Sequence, residues 1–190
     1  AVAIVKRVFD AAKVGHGGTL DPLASGVLPI ALGEATKTVS YTMGKSKSYE
    51  FSLVWGAETS TDDTEGEITR QSDIRPLDDD IDRALAQFHG VIDQVPPNYS
   101  AIKIKGARAY DLARQVGAGH PLPALEPREV WIEQFRRLES DQVGARFFVG
   151  CGKGAYIRAL ARDLGRALGS AAHVTSLRRL SVGQFHADHA

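Results

Sequence analysis

The chain holds one cysteine, Cys151, in 190 residues. A lone thiol excludes an intramolecular disulfide and fits a reducing compartment, so a cytoplasmic location is expected. One Cys and six His show no zinc-like spacing, and no metal site is expected. No apolar run approaches the length of a membrane span, which gives no reason to expect a membrane partner. Net charge is missing too: 23 Lys and Arg balance 23 Asp and Glu. There is no internal repeat, no low-complexity segment and no clear linker. No initiator Met begins the chain; AVAIVKRVF reads as a helix already under way, so a truncated chain is expected. What is present is ordinary for a globular protein. Hydrophobic residues make up 43% and charged residues 24%, over a length that suits one domain with a sizeable core.

Zero net charge hides an uneven distribution. Residues 58–82 carry ten Asp/Glu against two Arg. Residues 151–180 carry six Lys/Arg against one Asp, and residues 99–115 carry four against one. A basic surface with an acidic flank is a plausible nucleic-acid footprint. A solvated mixed surface would carry the same charges.

Periodicity gives the order of elements. Val2, Val5, Phe9 and Ala12 recur at helical spacing, so residues 1–12 read as an amphipathic helix. Gly26 to Leu32 reads as a short buried strand, and Glu34 to Met43 as a helix stopped by Gly44. In SKSYEFSLVWG, Tyr49, Phe51, Leu53 and Trp55 alternate with Ser48, Glu50, Ser52 and Val54, a strand. AETSTDDTEG is a polar turn; it lacks the alternate ligands and terminal Glu of a calcium loop. Asp78 can cap a helix whose face is Ile81, Leu85 and Phe88, ended by Gly90. Residues 94–119 mix prolines, Tyr99, a short strand and Lys103, Lys105 and Arg108. They suit an RNA-contacting insertion, or an ordinary hairpin and helix. EVWIEQFRRL and VGARFFVGC read as two strands joined by a turn at Ser140–Gln142. A GKG turn, whose glycines before a helix could hold a phosphate, feeds the helix AYIRALARDLGRALG. Its buried stripe is Ile157, Leu160, Ala161, Leu164 and Leu168, with Arg158, Arg162 and Arg166 on another face. HVTSLRRLSVGQF closes the chain as a strand. Strand pairs with short turns and no regular βαβ repetition predict an α+β domain with a mixed, mainly antiparallel sheet.

One stretch organises the rest: VGHGGTLDPLASGVLP, Val14 to Pro29. Gly15, Gly17 and Gly18 let the backbone take positive φ and approach a ligand closely. Pro22 pushes Asp21 out of the helical region. Asp21 is thus the one carboxylate on a shaped loop. A Gly-rich turn in which Asp21 bonds its own backbone uses the same residues.

The whole string, running on through GEATK, resembles the catalytic motif of the TruB family, the tRNA pseudouridine-55 synthases. The resemblance covers roughly Lys13 to Phe185 and implies the pseudouridine synthase fold, with a cleft across the sheet. It implies that Asp21 is the catalytic aspartate. It pairs Asp21 with the arginine of a GTYIR-like motif, read here as GAYIR, so the partner is Arg158. Ala155 stands where the family has a hydroxyl residue. Tyr49, in SKSYEF, matches the tyrosine that stacks on the target uracil and helps move its C5 proton. Tyr156 and Leu177 match the residues that wall the uracil pocket. His16 matches a residue that enters the RNA stack when the target base leaves it. Lys37 in GEATK, with Arg178 and Arg179, are expected phosphate contacts.

The reaction so implied breaks the bond between uracil N1 and ribose C1′, then joins C1′ to C5 of the same base. Every atom is in the substrate, so no cofactor is expected. What it needs is a nucleophile, a pocket for the detached uracil and an acceptor for the C5 proton. The expected partner is the T arm of tRNA, and the expected state is a monomer. An upstream strand with a DKPxGxTS-like motif and a C-terminal RNA-binding (PUA) domain are family parts expected to be missing. Two rivals use the same residues. One is a non-catalytic RNA-binding module in which Asp21 and Arg158 form a structural ion pair. The other is an aspartate-dependent hydrolase, for which the motif supplies no water-activating group.

Overall fold

A computed structural model describes residues 1–43, 46–100, 103–104, 107–108 and 125–189. Gly44, read as a helix stop, and Lys105, read as an RNA contact, lie outside the described residues, as does most of the basic segment 99–115. The elements follow in chain order. The N-terminal part contains α1 (Val2–Val8), β1 (Val14–His16), β2 (Ala24–Gly26), β3 (Ile30–Leu32) and α2 (Val39–Met43). Then come β4 (Lys47–Trp55), β5 (Ala57–Thr59), β6 (Ile68–Gln71), α3 (Asp78–Leu85) and β7 (Gly90–Gln94). Two short strands, β8 (Lys103–Ile104) and β9 (Ala107–Arg108), pair with each other. The last part contains β10 (Arg128–Ser140), β11 (Gly144–Cys151), α4 (Ile157–Ala167), β12 (Ala172–Val182) and β13 (Phe185–His186).

The main sheet runs β13-β12-β4-β11-β10-β7, with β2 added against β12. All its pairs are antiparallel except β12 with β2, so the sheet is mixed and mainly antiparallel, as expected for an α+β domain. Alternation explains β4: Tyr49, Phe51, Leu53 and Trp55 are buried while Ser48, Glu50, Ser52 and Val54 between them are only partly so. That buried face meets α4, which also packs on β12, while α3 packs on β10. Within α4, Ile157, Leu160, Ala161 and Leu164 recur at 3.6-residue spacing and are buried. The helix stops at Gly169, whose φ of 69° is the left-handed conformation a glycine adopts without penalty. Phe51, Phe135 and Phe147 pack ring against ring with centroids 5.3–5.9 Å apart. This cluster anchors the strands that carry the cleft.

Four local expectations need correction. The stripe expected of residues 1–12 is not buried: α1 has no buried residue, and Phe9 is 65% exposed. The run Gly26 to Leu32 is not one strand, because Gly26 turns at φ 98° between β2 and β3. Glu34 to Met43 is not one helix but a 3₁₀ turn over Gly33–Lys37 followed by α2. Asp78 is not an N-cap: Leu77 takes that place, and the Asp78 carboxylate instead accepts from Arg137 and Ser140. Three aspartates in the first turn of α3 still complement the helix dipole.

Candidate active site

The loop between β1 and β3 carries Asp21, and a buried arginine holds it in shape. Arg179 on β12 is 1% exposed. Its Nε donates to the Val27 carbonyl at 2.8 Å, Nη1 to Thr19 at 3.1 Å and Nη2 to Gly18 at 3.3 Å. The backbones meet as well: Val27 N–H donates to the Arg179 carbonyl at 2.9 Å. A Cβ at Gly26 would lie 2.1 Å from that carbonyl oxygen, so only glycine lets the two chains come this close. Arg179 is therefore not a surface phosphate contact. It is a strut under the loop.

Asp21 meets Arg158 in a two-point contact. Arg158 Nε lies 2.8 Å from one carboxylate oxygen and Nη2 lies 3.2 Å from the other. Such a fork fixes orientation as well as charge. Arg158 sits in the first turn of α4 with its side chain 5% exposed, whereas that of Asp21 is 29% exposed. The same guanidinium donates to the carbonyls of Thr61 at 2.7 Å and Tyr99 at 3.0 Å, and lies 3.5 Å from Asp63. One arginine thus ties together the Asp21 loop, the turn after β5 and the segment after β7.

Two more arginines extend the row. Arg162 pairs with Asp62 and Asp163, each at 2.9 Å, and donates to the Val95 carbonyl at 2.6 Å. Arg166 grips both oxygens of Glu58, at 2.9 and 2.6 Å. The basic row 158–166 and the acidic segment 58–63 are therefore partners inside the fold. They are not a free basic surface with an acidic flank. Burial pushes the Asp62 carboxyl up to about 6 against the pull of Arg162.

A cleft of about 1280 Å³ opens above Asp21 and is lined by Tyr49, Tyr156, Arg158, Leu177 and Arg179 among others. Tyr49 reaches it from β4 and Leu177 from β12; the strand register places Leu177 opposite Phe51 and beside Ala24. Burial is the main cause that pushes the Tyr49 phenol up to about 12, so it stays protonated through the neutral range. Burial also raises the Tyr156 phenol. Tyr156 is pinned by Gln94, which accepts from its N–H at 2.8 Å and donates to its carbonyl at 3.2 Å.

Three expected site residues stand outside this lining. His16 lies in β1 with a buried Nδ1 that makes no hydrogen bond. Lys37 is exposed and pairs with Glu34 at 2.6 Å. Arg178 is exposed on β12. Among the described residues, no group of three or more His, Cys, Asp or Glu side chains is placed to hold a metal ion. Reading the sequence missed Gln94, Asp62 and Asp63. The alternation of acids and threonines in 58–65 offered a signal for the last two, and nothing local marked Gln94.

The fold is shared with solved structures of one class. A crystal structure of a Cbf5–Nop10–Gar1 complex aligns with a TM-score of 0.71 at 31% identity, covering 98% of this chain and 45% of that one. An H/ACA RNP bound to a substrate RNA containing 2′-deoxyuridine aligns at 0.70 and 28% identity, covering 98% and 44%. The TruB family pseudouridylate synthase N-terminal model matches residues 6–157, and the tRNA pseudouridylate synthase B C-terminal model matches residues 158–190. The chain belongs to the TruB family. The tRNA pseudouridine synthase B of Bartonella henselae is 55% identical over 186 residues. That of Bradyrhizobium diazoefficiens is 53% identical over 186 residues. These matches cover 97% of this chain but 57% and 53% of the relatives, so the chain spans little more than half their length. The boundary between the two family models falls inside the fold: β12, in the second, pairs with β4, in the first. The Asp21–Arg158 pair crosses the same boundary.

Proposed function

We propose that this chain is the catalytic domain of a cofactor-independent tRNA pseudouridine synthase acting on a uridine of the T loop. The observation that carries the reading is the forked Asp21–Arg158 contact on the floor of a cleft walled by Tyr49, Tyr156 and Leu177. A flipped uridine needs a flat pocket; Tyr49 offers a ring face and Tyr156 and Leu177 close the sides. Asp21 is the nucleophile, able to attack C1′ of the ribose or C6 of the base. Arg158, buried and bonded on every side, holds that carboxylate toward the opening rather than leaving it to rotate. The detached uracil turns in the pocket until C5 faces C1′. The new carbon–carbon bond forms and the C5 proton leaves.

The remaining assignments rest on the family resemblance. His16, at the base of the Asp21 loop, fills the gap in the RNA stack. Exposed Lys37 and Arg178 contact phosphates. The working state is a cytoplasmic monomer on the T arm. Tritium release from tRNA labelled at uracil C5 tests the reading. Release with pseudouridine as product is expected. A chain that binds tRNA without releasing tritium is instead an RNA-binding module with a structural Asp21–Arg158 pair.

A further inference from the structure

Backbone carbonyls aim Arg158 at Asp21. Besides its fork on Asp21, Arg158 donates from Nη1 to the Thr61 carbonyl at 2.7 Å and from Nη2 to the Tyr99 carbonyl at 3.0 Å. A carbonyl can aim a guanidinium only if its own segment is held still. Arg162 holds both segments. It stands one helical turn further along α4, on the same side as Arg158. Its Nη1 lies 2.9 Å from the carboxylate of Asp62, the residue after Thr61. Its Nη2 donates at 2.6 Å to the carbonyl of Val95, which leads through Pro96 and Pro97 to Tyr99. The neighbouring Asp163 takes its Nε at 2.9 Å.

The turn at Asp62 is one that needs holding. Its φ is 60°, in the left-handed region that is unfavourable for a residue with a side chain. Asp62 is 7% exposed, so its carboxylate has lost most of its water and depends on the guanidinium. The Val174 N–H also donates to the Asp62 carbonyl at 3.1 Å, and Thr59 Oγ1 donates to that of Asp63 at 2.6 Å. Those bonds fix the turn to β12 and to itself, whereas Arg162 fixes it to the helix that carries Arg158. On the other segment, the two prolines restrict the backbone between Val95 and Tyr99. A hold on Val95 therefore carries through to the Tyr99 carbonyl.

The proposed reaction needs the Asp21 carboxylate aimed at one carbon, and the inference rests on that reading. We propose that Arg162 is a positioning residue for this reaction. By clamping Asp62 and the Val95 carbonyl, it fixes the two carbonyls that aim Arg158 at Asp21. It acts through Arg158 and not on the reacting atoms. Its contribution is geometric: a carboxylate already aimed when the uridine arrives.

Single-turnover pseudouridine formation on a tRNA transcript tests this, with saturating enzyme and well below each variant's unfolding midpoint. Arg162→Met keeps a long side chain and removes every donor. Loss of aim should slow it by roughly ten- to a hundredfold. The tRNA Kd should move less than about threefold, because aim is lost and not ground-state binding. Asp62→Asn, which leaves the Val95 contact in place, should fall between Arg162→Met and wild type. In an Arg158→Lys background the fork is already gone, so Arg162→Met should slow the reaction less than about threefold further. Arg162→Met reacting within about threefold of wild type overturns the assignment. So does slowing by the same factor in both backgrounds, which marks a contribution independent of Arg158. So does a loss of rate matched by an equal loss of tRNA affinity, which marks an RNA contact. If Arg162→Met does not fold, Arg162→Lys takes its place. It keeps the charge without the fork that spans both partners, and a wild-type rate in it overturns the proposal. Wild type without tritium release overturns the proposed function and this inference with it. Wild-type turnover with an unaffected Arg162→Met overturns this inference alone.

Discussion

Gln94 and Tyr156 exchange two hydrogen bonds across 62 residues of sequence. Gln94 ends β7 and is 1% exposed; Tyr156 is the last residue before α4. The primary amide acts as a surrogate peptide, satisfying an N–H and a carbonyl at a helix start that lacks a side-chain cap. It thereby fixes the residue two places before Arg158.

Gln94→Ala should leave the Tyr156 N–H without its partner, while the Tyr156 carbonyl keeps the Leu160 N–H at 3.1 Å. The expected cost is about 1–3 kcal/mol of stability, read by urea unfolding. The single-turnover rate should fall while tRNA affinity holds, because the change loosens the floor of the cleft and not its rim. A variant as stable as wild type would mean that water replaces the amide.

Asp21→Asn keeps shape and volume but turns one acceptor oxygen into a donor that faces the Arg158 guanidinium. Turnover should vanish. Binding of tRNA should change by less than about tenfold, or ~1.4 kcal/mol, measured by filter binding. Pseudouridine at near the wild-type rate would remove Asp21 as nucleophile.

How far the sequence reveals this arrangement depends on whether the governing pattern is local. The period of two in β4 and the 3.6-residue stripe of α4 are local, and both elements stand where the pattern puts them. The Gly- and Pro-shaped loop is local too, so Asp21 stands out. Arg179 shows where such reading stops. It shares the buried face of β12 with Leu177, and the three carbonyls that satisfy its charge come from Gly18, Thr19 and Val27, a partner set about 150 residues away that no local pattern marks. The acids of 58–63 likewise read as a solvated run. Their pairing with Arg158, Arg162 and Arg166 is a tertiary match between segments about a hundred residues apart. Resemblance to a family brought Asp21 and Arg158 together in advance; charge counting alone put their surroundings on opposite flanks.

Asp62 offers a pH signature. Its folded carboxyl is held up at about 6, above the ordinary 3.8, chiefly by burial. A raised carboxyl favours the folded state while protonated, so its stabilising contribution is complete below about pH 4 and is lost as pH rises through 6. Relative to Asp62→Asn, wild type should lose on the order of 2–3 kcal/mol across that window. Thermal unfolding of both proteins from pH 4 to 7 measures the difference. Parallel curves would mean that Arg162, 2.9 Å away, keeps the carboxylate charged throughout.

Tyr49 has two candidate duties, and its surroundings separate them. The ring is 8% exposed and lines the cleft together with Leu177 and Asp21. Burial holds the phenol at about 12, so at pH 7 roughly one molecule in 10⁵ is ionised. A phenol in that state is a poor base for the C5 proton, but its ring can still carry the base stack. Stacking on an unpaired base contributes on the order of 1–3 kcal/mol. Tyr49→Leu, which removes the ring, should therefore slow single-turnover pseudouridine formation by roughly 5- to 150-fold. Tyr49→Phe keeps the ring and should stay within about tenfold of wild type, because the hydroxyl it removes is not needed as a base. Saturating enzyme excludes weaker tRNA binding as the cause of either change. A loss of a hundredfold or more in Tyr49→Phe would put the hydroxyl in the proton transfer despite its burial. Tyr49→Leu reacting as fast as wild type would make Tyr49 a core residue of β4 and nothing more.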